Sequence, residues 1–326
     1  MKTQTIRILA PLIGAAACIL AAGNAAGQAY PTKPIRLIAP YPAGGSSDQL
    51  ARILGQKLTD AWGQRIVVDN RPGAGGSLGT GIAATSPADG YTLVVGSVAP
   101  IVLNPMFYKL KYVSLRDFEP ISVIAAAPQL IVVNPSTPAK SVQELVALAK
   151  ASPNALNYGS SGAGTLPHIG GEMFKIVAGV SVAHIPYKGS VPALLDLIGG
   201  RVQVVFADMP VALPHVKAGK LRALAVAGPK PFPLTSGIPT AIEAGLLGFV
   251  LDNWWGLLTM KGVPAAIINK VNAELVKALA QPDVIERYTA MGVESVTSTP
   301  RGFSDIIRRD EKIFSKVVKD AGITVE

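Results

Sequence analysis

The chain has 326 residues, of which 49% are hydrophobic, 16% charged and 6% aromatic, and its formal net charge is +9. The lysines and arginines are dispersed rather than clustered, which excludes a nucleic-acid-binding stripe and leaves the excess as plain solubility charge or as a field that favours anionic ligands. The one cysteine is Cys18, so beyond the N-terminal segment the chain has neither a disulfide nor thiol chemistry.

Residues 1–29 read as a secretory signal peptide. Lys2 and Arg7 make a basic start, residues 8–22 are apolar, and small residues follow up to Ala29. Cleavage before Tyr30 or after Gly27 fits the pattern. The apolar run is shorter than the ~20 residues a membrane span needs, and Ala15, Ala16 and Ala17 before Cys18 lack the leucine of a lipoprotein signal. The remainder is long enough for one large domain or two ordinary ones.

From there the pattern alternates. Residues 35–39, 65–68 and 91–95 read as strands, with helices over 48–61 and 76–85 between them. This order argues for a parallel sheet covered by helices. Runs such as Thr92-Leu-Val-Val95 are apolar at consecutive positions, as strands buried on both faces are. After a long apolar run over 121–133, broken by Pro128, the pattern restarts. A helix over 141–150 opens on Ser141 with Glu144 three residues later, a capping box. Strands follow at 156–158, 181–185, 202–206 and 221–227, with helices over 167–177 and 191–198. A proline-rich stretch leads to a β-like run over 248–260 that holds Trp254 and Trp255. Helices over 264–280, 282–291 and 299–321 close the chain, the first with Ile267, Ile268, Val271, Leu275 and Leu279 on one face.

Two α/β units result, and the runs at 121–133 and 248–260 cross between them. The expected architecture is a two-lobed α/β receptor with a mainly parallel sheet in each lobe. One lobe comprises 30–127 and 251–326, the other 128–250, with a cleft at the strand ends.

Each unit carries one Gly/Ser turn between a strand and a helix: Pro40-Tyr-Pro-Ala-Gly-Gly-Ser-Ser-Asp48, and Ser160-Ser-Gly-Ala-Gly-Thr165. Amides at a helix N-terminus have no internal partner and lie at the positive end of the helix dipole. Two such turns facing each other suit a compact anion such as a carboxylate. Each taken alone is also an ordinary βα turn with a serine cap. Lys188 lies near the expected cleft, where it offers a cation or is a solvated surface lysine. Asp208 ends an apolar strand and caps the next helix, orients water or meets an amine.

Other chemistries are poorly served. No Gly-x4-Gly-Lys-Ser/Thr sequence is present, and Leu78 stands where a Gly-x-Gly-x-x-Gly fingerprint starting at Gly73 needs glycine, which speaks against nucleotides. Gly159-Ser-Ser-Gly-Ala163 misses the last glycine of a nucleophile elbow. Ser161, Asp208 and His215 do occur in hydrolase order, so a secreted serine hydrolase using Ser161 is the alternative reading. His168, His184 and His215 lack metal-ligand spacing, and neither metal nor cofactor is expected.

The chain resembles the Bug family of periplasmic solute receptors, the binding subunits of tripartite tricarboxylate transporters. The resemblance rests on Tyr30-Pro-Thr-Lys-Pro-Ile35, Pro40-Tyr-Pro-Ala-Gly-Gly45, Val68-Asp-Asn-Arg-Pro-Gly-Ala-Gly-Gly76, Ala88-Asp-Gly-Tyr-Thr-Leu93, Tyr158-Gly-Ser-Ser-Gly162, His184-Ile-Pro-Tyr-Lys-Gly189 and Leu197-Ile-Gly-Gly200. It implies a Venus-flytrap fold, export to the periplasm, a monomer, and no catalysis. It also implies a small organic carboxylate gripped by both turns, partly through water, and a membrane permease as partner; a sensory role without a permease is the variant reading. By position it assigns Ala43, Gly44, Gly45, Ser46 and Asp48 from the first turn. From the second it assigns Ser160, Ser161, Gly162, Gly164, Thr165 and His168, and Asp208 from the pocket. Residues around Tyr41 and Trp254 vary in relatives and are expected to set the far end of the ligand.

Overall fold

The computed structural model describes residues 30–153, 155–320 and 322–324. The expected signal peptide lies outside the described residues. From Lys33 onward the chain clusters as one unit.

Two five-stranded sheets organise it, in the orders β2-β1-β3-β10-β4 and β7-β6-β8-β5-β9. In the first, β1 (Ile35–Ala39) runs parallel to β2 (Ile66–Asn70) and β3 (Thr92–Ser97), and β10 (Asp252–Met260) pairs antiparallel with β3 and with β4 (Phe118–Pro128). In the second, β6 (Asn157–Ser160) runs parallel to β7 (Ala183–Pro186) and β8 (Val204–Ala207). There β5 (Leu130–Val133) pairs antiparallel with β8 and with β9 (Arg222–Val226). Each sheet therefore has four strands running in one direction and one reversed strand between two of them, β10 in the first sheet and β5 in the second. In each case the reversed strand is the one the chain enters directly from the link between the sheets, β5 just after Pro128 and β10 just after Leu251.

The link itself is a ring of three backbone hydrogen bonds. The Gln129 amide donates to the Leu251 carbonyl at 2.9 Å, Leu251 to Ala227 at 2.7 Å, and Ala227 to Gln129 at 2.8 Å. The apolar run at 121–133 is thus split at Pro128, which has no amide to keep a single ladder going.

Helices α1 (Ser46–Trp62), α2 (Ser77–Ala84), α3 (Val142–Ala151), α4 (Leu166–Ala178), α5 (Ser190–Ile198), α6 (Met209–Lys217), α7 (Ala265–Leu279), α8 (Pro282–Met291) and α9 (Pro300–Asp320) pack on the sheets. α1 buries Leu50, Ile53, Leu54 and Leu58, each contributing about 1.5–3 kcal/mol, and ends at Gly63 with φ 64°. Ser141 caps α3 as read, its Oγ accepting the Glu144 amide at 3.1 Å, while the return bond to Glu144 Oε2 comes from the Lys140 amide at 2.6 Å, one residue before the N-cap. In α4 a Cβ on Gly171 would lie 2.1 Å from the ring of Tyr158, so this glycine lets the helix seat directly on β6. Gly256 does the same for α9, where a Cβ would stand 2.1 Å from Phe303. Among the described residues no helix is long and apolar enough to cross a membrane.

Candidate anion cleft between two helix N-termini

Both Gly/Ser turns deliver a helix N-terminus to one narrow cleft. Its lining includes Gly45, Ser46 and Ser47 from the start of α1 and Ser161, Thr165, Leu166 and Pro167 from the start of α4. The cavity between them is about 20 Å³, room for about one water. Nothing as large as an organic acid fits a cavity of that size.

The first turn is built from behind. Gly44 takes φ 81°, a left-handed conformation that costs glycine little, and its amide donates to Asp48 Oδ2 at 2.8 Å. Asp48 Oδ1 pairs with Arg52 at 2.9 Å, and Asn70 Nδ2 donates to the Tyr41 carbonyl at 3.1 Å. Burial pushes the Asp48 carboxyl up, but the hydrogen bonds from Arg52, the Gly44 amide and Asn70 outweigh it and hold it below its ordinary 3.8. Asp48 is thus an ionised brace of the loop. In front of it, Ser46 and Ser47 are 5% and 1% exposed, and neither hydroxyl has a hydrogen-bond partner among the described residues. Buried hydroxyls without partners are costly, and here two adjacent ones line the same cleft.

The second turn is braced from within. Ser160 Oγ meets His184 Nε2 at 2.6 Å and accepts the Gly162 amide at 3.2 Å. Thr165 Oγ1 donates to the Gly162 carbonyl at 2.6 Å. The Gly164 amide donates to His168 Nδ1 at 3.2 Å, which places the His168 proton on Nε2. His168 stacks on His184 at 4.2 Å, and His184 on Tyr158 at 4.8 Å. Burial lowers both imidazoles below their ordinary value, and beside His168 the His184 ring is lowered to about 4.

Asp208 closes a third side. It is half-buried and accepts from Gln129 Nε2 at 2.7 Å, Asn253 Nδ2 at 3.1 Å and Ser190 Oγ at 3.1 Å. Burial raises its carboxyl above the ordinary value, against the three donors. Its side-chain partners come from the sheet link, β10 and α5. No histidine is among them, so the hydrolase arrangement of Ser161, Asp208 and His215 is not assembled.

Of the residues singled out from sequence, Tyr41, Gly45, Ser46, Ser161, Thr165 and Asp208 line the cleft. Ala43, Gly44, Asp48, Ser160, Gly162, Gly164 and His168 stand outside the lining, in the loops that shape it, and Lys188 is exposed outside it. Tyr41 donates to the Gly75 carbonyl at 2.9 Å, and burial raises its hydroxyl far above its ordinary range. Sequence reasoning did not select Ser47, Ser97, Ser190, Asn253 or Trp255, all of which line the cleft. Ser97 and Ser190 were within reach of the strand-end rule that found Asp208: one ends β3, the other opens α5 after β7. Trp255 and Trp254 alternate along β10, so Trp255 faces the cleft while Trp254 Nε1 donates to Asp310 at 2.8 Å.

The cleft also has an inter-sheet seam of glycines. A Cβ on Gly75 would lie 3.1 Å from the Ala163 carbonyl, one on Gly164 2.7 Å from Asn104 Oδ1, and one on Gly189 3.0 Å from Pro42. Backbones approach this closely only because side chains are missing.

BugT of Bordetella pertussis is 38% identical over 299 residues, covering 90% of each chain. Among solved structures, Rpa4515 of R. palustris with adipate is 34% identical with a TM-score of 0.88, covering 90% of this chain and 99% of that one. MatC of Rhodopseudomonas palustris with bound malate is 29% identical with a TM-score of 0.84, covering 89% and 100%. The family model described as the tripartite tricarboxylate transporter family receptor matches residues 50–323. A match of that extent shows that the chain belongs to the tripartite tricarboxylate transporter receptor family, whose members bind solutes rather than transform them.

Proposed function

We propose that this receptor binds a small organic carboxylate in the periplasm, between the N-termini of α1 and α4, and presents it to the membrane permease of a tripartite transporter. The observation that carries the reading is the pair of buried, unpartnered hydroxyls of Ser46 and Ser47 at a helix N-terminus, facing a second helix N-terminus across the same cleft. Unpaired amides and the helix dipole favour negative charge at both ends. Adipate and malate in two relatives supply the chemical class. The signal-peptide pattern read in the sequence of residues 1–29 supports export.

Binding works through closure. The lobes are 30–127 with 251–326, and 128–250, joined at the Gln129–Ala227–Leu251 ring. An acid held by only one turn leaves the other unpaired, so it stabilises the closed form and shifts the population toward it. The glycine seam makes that form compact enough to be recognised as a different surface.

A thermal-shift panel of mono-, di- and tricarboxylates on the purified protein tests the reading. An acid at about 1,000 times its Kd adds roughly 4 kcal/mol of stability, which moves Tm by several degrees in a protein of this size. A panel in which no acid moves Tm, on protein shown by mass spectrometry to carry no bound acid, overturns it.

A further inference from the structure

The cleft is asymmetric in its hydrogen-bond chemistry. Opposite the helix amides, Asp208 receives the nitrogen of both carboxamides beside it, Gln129 and Asn253. That contact decides which way each amide is turned. Their oxygens consequently point away from Asp208, and neither Gln129 Oε1 nor Asn253 Oδ1 has a hydrogen-bond partner among the described residues. Gln129 is 1% exposed and Asn253 7%. Asn253 lines the cleft. An amide oxygen only accepts, so what satisfies it must donate.

No lysine or arginine lines the cleft, and its one ionisable carboxyl is Asp208. A second carboxylate on the ligand would meet further acceptors there, with no cation to balance it.

We propose that the acid this cleft selects carries, besides its carboxylate, a hydrogen-bond donor — a hydroxyl or a protonated amine — that is accepted by Asn253 Oδ1. This deepens the carboxylate reading and rests on it. Asn253 acts as a specificity residue: it discriminates between acids of the same skeleton instead of supplying the main affinity. A buried acceptor left unmade is penalised by more than a made bond returns, and sites built to pair a ligand hydroxyl or amine reject the analogue without it.

Isothermal titration with two matched series tests this: propionate, L-lactate and L-alanine, then succinate, L-malate and L-aspartate. In at least one series the hydroxyl or amine member should bind at least about tenfold tighter than the bare acid, and which of the two wins identifies the donor. In Asn253→Ala that ratio should fall toward one. If the bare acid binds as tightly as both substituted members in each series, the proposal is wrong and the carboxylate reading stands. If none of the six binds, the donor proposal fails, and the carboxylate reading falls with it only when no acid of the wider thermal-shift panel moves Tm either. The wild-type ratios decide the matter even if the variant does not fold.

Discussion

The two turns look alike as sequence and are built differently. In the second, the polar groups of Ser160, Thr165 and His168 bond within the turn or to His184. In the first, Asp48 and Asn70 do the bracing, and the two serines in front of them are left buried and unpartnered. One turn is rigid and offers a helix N-terminus. The other is braced at the back so that its hydroxyls stay free at the front. A residue's type therefore says less about its role than whether the loop has already used its hydrogen bonds.

The sharpest way to break that contrast is to remove the free hydroxyls. Ser46→Ala combined with Ser47→Ala deletes no bond within the protein, so Tm without ligand should be unchanged or slightly raised. Two charge-assisted bonds at about 1.5–3 kcal/mol each should cost affinity roughly 10²–10⁴-fold. Calorimetric titration beside a melting curve separates the two effects, and a drop in Tm matching the loss of affinity would contradict the assignment.

The matching change in the second turn should do the opposite. Ser160→Ala strands His184 Nε2 and the Gly162 amide, costing about 1–3 kcal/mol, or several degrees of Tm at about 2–4 °C per kcal/mol. Affinity should fall less than in the double serine variant.

The seam offers a third test. Gly164→Ala puts a Cβ at φ 74° and 2.7 Å from Asn104 Oδ1, with a conformational cost of about 1–2 kcal/mol. It should weaken binding several-fold by opposing closure. Small-angle scattering with saturating acid should then show a less compact protein than wild type; an identical profile would separate the seam from closure.

The fourth test is acid sensitivity. His184 is lowered from 6.5 to about 4, so the unfolded chain takes up its proton first as pH drops. Stability should therefore fall between about pH 6.5 and 4, then level off for this group. Asp48 is held below 3.8, so its contribution is present above that value and persists through the whole window. Melting curves across that range should show a slope that His184→Gln flattens and Asp48→Asn does not.

Much of this was readable beforehand. The β-α-β alternation, the restart after residue 121 and both glycine-serine turns follow from hydrophobic period and turn chemistry, which act over a few residues. Asp208 was found because it ends an apolar strand. Ser47 was passed over because adjacent serines at a cap look interchangeable in sequence; only packing shows that both are buried and free. Asn253 and Gln129 carried no local signal at all, since a carboxamide in or beside a strand is unremarkable until a carboxylate from another element turns it. Lys188 shows the reverse: a cation next to a recognisable motif, which the fold leaves in solvent.

The amino-acid sequence by itself determined the two α/β units, the glycine turns and the helix N-termini, because backbone conformation and amphipathic period are local properties. Only the tertiary structure decided which hydroxyls and amide oxygens are left unpaired, which amide nitrogens Asp208 takes, and what braces the first turn. Those depend on what arrives from distant segments, and hydrogen-bond partners and burial are shared out only once the two sheets and their link have assembled.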